Sequence, residues 1–255
     1  MHKTLKRITA GRLVYAVLYT APGADDSQQA RAQKRKASTE ARERLNARTS
    51  FQKLERTLAA NFDNGDLFVT ITYDDKHLPD SKDKAVRRVR SYLSKLRAAR
   101  KRNNQPLRYI YVTEGGCPGG RLHHHIVMNA TGEDTEDLRR LWIYGSNVEI
   151  EYLKFTPMNN YEGLASYLTK EPREWGHPHV GERTWTPSLG LIRPEPETEF
   201  VADCVALSAP PEADILFKEG PIRNGYGEFA YIKYLLPYDQ DRRKPKPKRR
   251  KKKQE

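Results

Sequence analysis

The spacing of apolar residues changes period along this chain, and each change marks an element. Leu67-Phe-Val-Thr-Ile-Thr-Tyr73 is dense in β-branched and aromatic residues. It follows the turn signal Asn64-Gly65 and stops at Asp74-Asp75, so it predicts a strand. From Lys84 to Arg102 the period becomes about 3.6. Val86, Val89, Leu93 and Leu96 make one stripe, while nine Lys or Arg and no acid occupy the rest, which predicts an amphipathic helix with a basic outer face. A second strand is predicted at Tyr109-Ile-Tyr-Val-Thr113. The glycine-rich Gly115-Gly-Cys-Pro-Gly-Gly120 then joins it, hairpin fashion, to a third over residues 121 to 129. Thr135 is placed to cap a helix whose apolar face is Leu138, Leu141 and Trp142 and which ends at Gly145. A fourth strand over residues 148 to 155 and a short helix over 161 to 170, closed by Pro172, complete the series.

The order β, α, β, β, α, β, α predicts an α+β fold. Its economical packing is a ferredoxin-like, split βαβ antiparallel sheet of five strands, with the histidine-bearing strand central. The flanks read differently. Leu13-Val-Tyr-Ala-Val-Leu-Tyr19 is a strand, too short and too rich in tyrosine for a signal peptide core or a membrane span. Residues 28 to 60 lack Pro and Gly and read as one or two solvent-washed helices. Residues 172 to 200 are expected to be loop, with later strands at 200 to 207 and 228 to 236. The expected organisation is therefore an N-terminal strand and basic helical extension (1–60), a catalytic domain (61–175), a loop-rich extension (176–240) and a tail (241–255).

Charge adds a partner to this picture. The 46 Lys and Arg exceed the 33 Asp and Glu by 13, which points to a polyanion, nucleic acid before membrane. Residues 241 to 255 hold ten of those cations against Asp241 and Glu255, and with no apolar residue but proline they predict a disordered tail. Only Cys117 and Cys204 are present, so no disulfide framework is expected and a reducing cytoplasm fits.

Two constellations carry candidate chemistry. His123 and His125 lie two apart on the third strand, so both imidazoles share one face while His124 points to the other with Leu122, Ile126 and Met128. Glu114 ends the preceding strand, and hairpin pairing can bring its carboxylate to the same end of the sheet. Two imidazoles and a carboxylate suit a divalent cation with open positions. Tyr167 and Lys170 are three apart on the last helix and therefore neighbours. A tyrosine hydroxyl titrates near 10 and is a poor nucleophile at neutral pH, so it needs a cation that polarises a phosphate and an ammonium such as Lys170 beside the developing charge. His177-Pro-His179 repeats the His-x-His spacing, but its proline removes the strand that would align the rings. Gly115 to Gly120 lacks the Lys-Ser or Lys-Thr ending of a phosphate-cradling loop.

The ordered set of a Phe-Val-Thr-Ile-Thr-Tyr strand, Glu114, Gly-Arg-Leu-His-His-His-Ile-Val and Tyr-Leu-Thr-Lys resembles the HUH endonucleases. Within them it resembles the rolling-circle replication initiators of bacterial plasmids, phages and integrated elements. The resemblance covers residues 60 to 175. His124 departs from the family pattern, which usually has a hydrophobic residue between the two histidines. The resemblance implies Mg2+ or Mn2+ on His123, His125 and Glu114, and attack by Tyr167 to give a covalent 5′-phosphotyrosine and a free 3′-hydroxyl. It implies a single-stranded or hairpin DNA origin held by Arg121, by Arg87, Arg88 and Arg90 of the basic helix, and by Lys248, Arg249 and Arg250 of the tail. No Walker sequence is present, so a host helicase and polymerase are the expected partners, in a bacterial cytoplasm or, in a nucleated host, the nucleus. Two rival readings are a single-tyrosine transposase with the same core and a non-catalytic basic protein that binds single-stranded DNA.

Overall fold

The computed structural model describes residues 3–20, 39–115, 120–169, 184–224 and 227–238. In chain order the elements are β1 (Lys3–Ala10), β2 (Leu13–Thr20), α1 (Thr39–Asn61), β3 (Leu67–Thr72), α2 (Lys82–Arg102), β4 (Tyr109–Glu114), β5 (His123–Met128), α3 (Asp134–Leu141), β6 (Val148–Tyr152), α4 (Tyr161–Leu168), β7 (Thr186–Pro187), β8 (Pro196–Val201), β9 (Asp214–Asn224) and β10 (Gly227–Leu235). They form two compact units, residues 36–191 and residues 1–35 with 192–255. The fold is α+β, with two five-stranded antiparallel sheets.

The 36–191 unit holds the sheet β6-β3-β5-β4-β7. The order β3-α2-β4-β5-α3-β6 with the third strand between the first and second is the split βαβ arrangement, and β5 is the middle strand of the five. Alternation decides what each face does. Leu67, Val69 and Ile71 of β3, with Ile126 and Met128 of β5, form one core with Ala85, Val89, Tyr92, Leu93 and Leu96 of α2 and with Leu138 of α3. The opposite face carries Phe68, Thr70, His123 and His125, and α4 lies against it through Tyr167, which meets the rings of Phe68 and His125. The helix α1 packs on α4, and the Tyr161 hydroxyl donates to the Phe62 carbonyl at the end of α1.

Local chemistry terminates these elements where the sheet needs them. Ser81 Oγ caps α2 by accepting from the Lys84 amide, and Asn160 caps α4 by accepting from the Glu162 amide at 2.9 Å. Gly115 follows β4 at φ +90°, and a Cβ there would stand 2.3 Å from the Arg121 carbonyl oxygen, so only glycine lets the two strands of the hairpin approach this closely.

The other unit holds the sheet β8-β1-β2-β10-β9. One of its faces buries Leu5, Val14, Ala16, Leu18, Ile232, Tyr234 and Leu236.

Several elements differ from the reading of the sequence. Residues 1–60 do not stay together, for β1 and β2 belong to one unit and α1 to the other. β1 is a strand because all eight of its residues pair with β2, and this long-range pairing overrides the polar look of Lys3 to Arg7. Residues 184–200, read as loop, contain β7 and the start of β8, and the strand expected over 200–207 lies at Pro196–Val201. Most of β8 is exposed, so it has no apolar period to read. β9 also went unread. Thr135 does not cap α3, which starts one residue earlier, at Asp134. Asp134 closes the preceding turn instead, accepting from the Thr131 amide at 2.6 Å and the Thr131 hydroxyl at 2.8 Å. Arg100, counted with the basic outer face of α2, is buried and paired with Asp134 at 2.5 Å. Residues 170–183 and 239–255, with Lys170, His177, His179 and the basic tail, lie outside the described residues, as does Cys117.

Candidate metal centre

Pairing between β4, β5 and β3 assembles the site. Glu114 stands directly opposite His123 and Val112 opposite His125, while on the other side Thr72 and Thr70 oppose the same two histidines. Directly opposed residues share a face, so Glu114, His123, His125 and Thr70 converge. His124 opposes Thr113 and Ile71 on the core face.

One oxygen of Glu114 is 3.6 Å from Nε2 of His123 and 3.6 Å from Nε2 of His125, and the two Nε2 atoms are 3.2 Å apart. All three candidate ligand atoms lie within 4.8 Å of one another. Nδ1 of His123 is 2.9 Å from the Arg121 carbonyl, an acceptor only, so in the neutral ring the proton sits on Nδ1 and Nε2 presents a lone pair. Lone pairs of two imidazoles and a carboxylate facing one another repel unless a cation lies among them. The second oxygen of Glu114 is buried with no hydrogen-bond partner among the described residues. A buried carboxylate oxygen without a partner is costly, and a cation would satisfy it. The donor set therefore fits a divalent ion, in an N2O combination with room for further ligands. Burial works against the Glu114 charge, but contact with His123 and His125 outweighs it and holds the carboxyl down at about 2.

Tyr167 closes the site from α4. Its hydroxyl is 3.5 Å from Nε2 of His125, and its ring meets that of His125 edge-on at 5.1 Å. Phe68 stacks on His125 from β3 at 5.3 Å. Tyr167 is 51% exposed, whereas His125 is 3% exposed, so the hydroxyl is reachable from solvent while the ligand behind it is not. Burial first, and then the carboxylates of Glu114, Glu151 and Glu149, raise the Tyr167 pKa above its ordinary value. Without a cation this phenol stays protonated.

His124 is a structural residue. It is fully buried, with Tyr73 Oη 2.7 Å from Nε2 and Thr113 Oγ1 2.9 Å from Nδ1. Burial, followed by the charge of His123 and His125, pushes its pKa down to about 3, so it is neutral at physiological pH.

The structure sorts the expected DNA contacts. Arg121 flanks the centre, since its carbonyl holds His123, while its guanidinium donates to the Tyr73 carbonyl at 2.9 Å and pairs with Asp75 at 2.7 Å. Arg87, Arg88 and Arg90 sit on α2, which covers the face of the sheet opposite to the histidine pair. There Arg88 lies over the Tyr144 ring at 4.5 Å and Arg90 donates to the Tyr111 hydroxyl at 3.2 Å. Lys170, Lys248, Arg249 and Arg250 are outside the described residues. Three neighbours of the centre escaped the reading of the sequence: Thr70, Glu149 and Glu151. For Thr70 a signal existed, because alternation puts it on the face opposite Val69 and Ile71, where a polar residue has no solvent reason to stand once that face is covered.

Residues 66–172 match the family model of the replication-associated protein ORF2 type, a span that includes Glu114, His123, His125 and Tyr167. The match supports a role in DNA replication. Among the curated proteins and among the solved structures nothing matches the chain.

Proposed function

We propose that the 36–191 unit is a metal-dependent DNA nickase of the HUH kind, which starts rolling-circle replication by transesterification. The observation that carries the reading is the Tyr167 hydroxyl beside a cluster of two imidazoles and a carboxylate. Glu114, His123 and His125 would hold Mg2+ or Mn2+, which when bound polarises the scissile phosphate and favours the phenolate of Tyr167. Tyr167 forms the new oxygen–phosphorus bond as the bond to the 3′ oxygen breaks. Its phenol gives up one proton and the departing oxygen ends with one, so the proton count balances. One phosphodiester replaces another, and the bond remains available for later joining, which hydrolysis would forfeit. Lys170, three residues on, is assigned to the charge that develops on phosphate. Arg121 beside the centre and the basic tail hold the DNA strand, while a host helicase and polymerase extend the 3′-hydroxyl.

The test is a tiled set of labelled single-stranded oligonucleotides covering the DNA around the protein's own gene, incubated with Mn2+. A DNA-linked protein band that survives denaturation is expected. Binding without any such band at saturating protein overturns the reading in favour of a non-catalytic single-strand-binding protein.

A further inference from the structure

We infer that Thr70 is the positioning residue that makes His125 a metal ligand, an inference that rests on the metal centre proposed above. Its hydroxyl oxygen is 3.0 Å from Nδ1 of His125. The contact is built into the sheet, because Thr70 stands directly opposite His125 across the β3–β5 ladder. An imidazole can offer Nε2 to a cation only when its proton sits on Nδ1, and the hydrogen bond made by the far nitrogen decides which tautomer is present. His123 obtains that bond from a backbone carbonyl, which any sequence supplies. At Nδ1 of His125 the partner is the Thr70 hydroxyl, which takes the place of such a carbonyl. Accepting from Nδ1–H, the hydroxyl keeps the Nε2 lone pair of His125 turned to the point where Nε2 of His123 and the Glu114 carboxylate converge.

The ring could be held by packing alone, since Phe68 stacks on it and Tyr167 meets its edge. Packing fixes the plane of an imidazole but not the position of its proton. Thr70 therefore supplies what Phe68 and Tyr167 do not.

The experiment compares Thr70→Val, which keeps shape and β-propensity and removes only the acceptor, with Thr70→Ser, which restores it. Mn2+ affinity is measured by calorimetry on the full chain without DNA. The imidazole nitrogen shifts of His125 are recorded by NMR in metal-free protein. Thr70→Val should bind Mn2+ about 10- to 100-fold more weakly. Its His125 signals should move from an Nδ1–H ring to one with the proton wholly or partly on Nε2, and Thr70→Ser should recover both. Equal affinity and unchanged nitrogen shifts in Thr70→Val overturn the inference while leaving the metal centre intact. A wild-type chain that binds no Mn2+ overturns the metal centre, and the inference with it.

Discussion

The hydroxyl of Tyr167 lies 3.5 Å from Nε2 of His125, although the two residues are 42 positions apart and sit on different elements. This proximity puts a nucleophile from α4 at the edge of a cation site built on β4 and β5. Replacing Tyr167 by Phe removes one oxygen and leaves the ring against Phe68 and His125. The variant should form no covalent DNA adduct while retaining DNA binding within a few fold. Gel analysis of adducts with parallel filter binding checks it. Tyr161 is no substitute, because it is 2% exposed and its hydroxyl is engaged with the Phe62 carbonyl. An adduct in the Phe variant would therefore place the nucleophile outside the described residues or contradict the geometry.

The three consecutive histidines should separate by function. His123→Ala and His125→Ala should each lose Mn2+ binding and nicking, with folding nearly unchanged for the partly exposed His123. His124→Ala should keep Mn2+ binding and lose stability, by about 2 to 5 kcal/mol, because it leaves a cavity and strands the Tyr73 and Thr113 hydroxyls. Urea unfolding and metal titration on all three variants provide the comparison. Loss of metal from His124→Ala alone would invert the assignment of faces.

Metal should stabilise the wild-type chain. A cation that binds only the folded state adds about 2.7 kcal/mol when present at 100 times its Kd. Mn2+ should therefore raise the thermal midpoint, excess chelator should return it to the starting value, and Glu114→Gln should remove most of the response.

The buried pair of Arg100 and Asp134 ties α2 to the start of α3, with a second donation from Arg100 to the Asn129 carbonyl at 2.8 Å. Asp134→Ala leaves a guanidinium buried without its counter-charge and should cost about 3 to 5 kcal/mol. Because the pair lies on the core side of the sheet, Mn2+ affinity measured below the unfolding transition should stay the same.

The tail should act on affinity and not on chemistry. Its ten cations reach several phosphates, and each phosphate neutralised adds about 0.7 to 0.9 to the slope of log affinity against log salt. Truncation before Asp241 should flatten that slope, by about 3 if four contacts are lost. Cleavage of an oligonucleotide at saturating protein should be unchanged. A slope that does not move would reject the DNA-holding role.

The separation of His123 and His125 from His124 was legible in the sequence, because strand alternation is a steric property of consecutive residues. The same holds for β3, β4, β5 and β6, and for the burial of Val89, Leu93 and Leu96 on α2. The approach of Glu114 to the histidine pair was also legible, since a hairpin folds two neighbouring strands onto each other. Other features depend on which distant strands pair, and no local period records that. β1, polar in appearance, became a strand through its partners β2 and β8, and those partners put it and α1 in different units. Thr70 became the partner of His125 only because β3 lies beside β5 in that register. Arg100 reads as one more surface cation until α3 presents Asp134 to it, and the basic face of α2 reads as a wall of the catalytic site until the sheet puts it on the far side. Periodicity along a chain tells which face a side chain takes. What stands across from that face is decided by contacts between segments far apart in sequence, and these exist only once the sheet has closed.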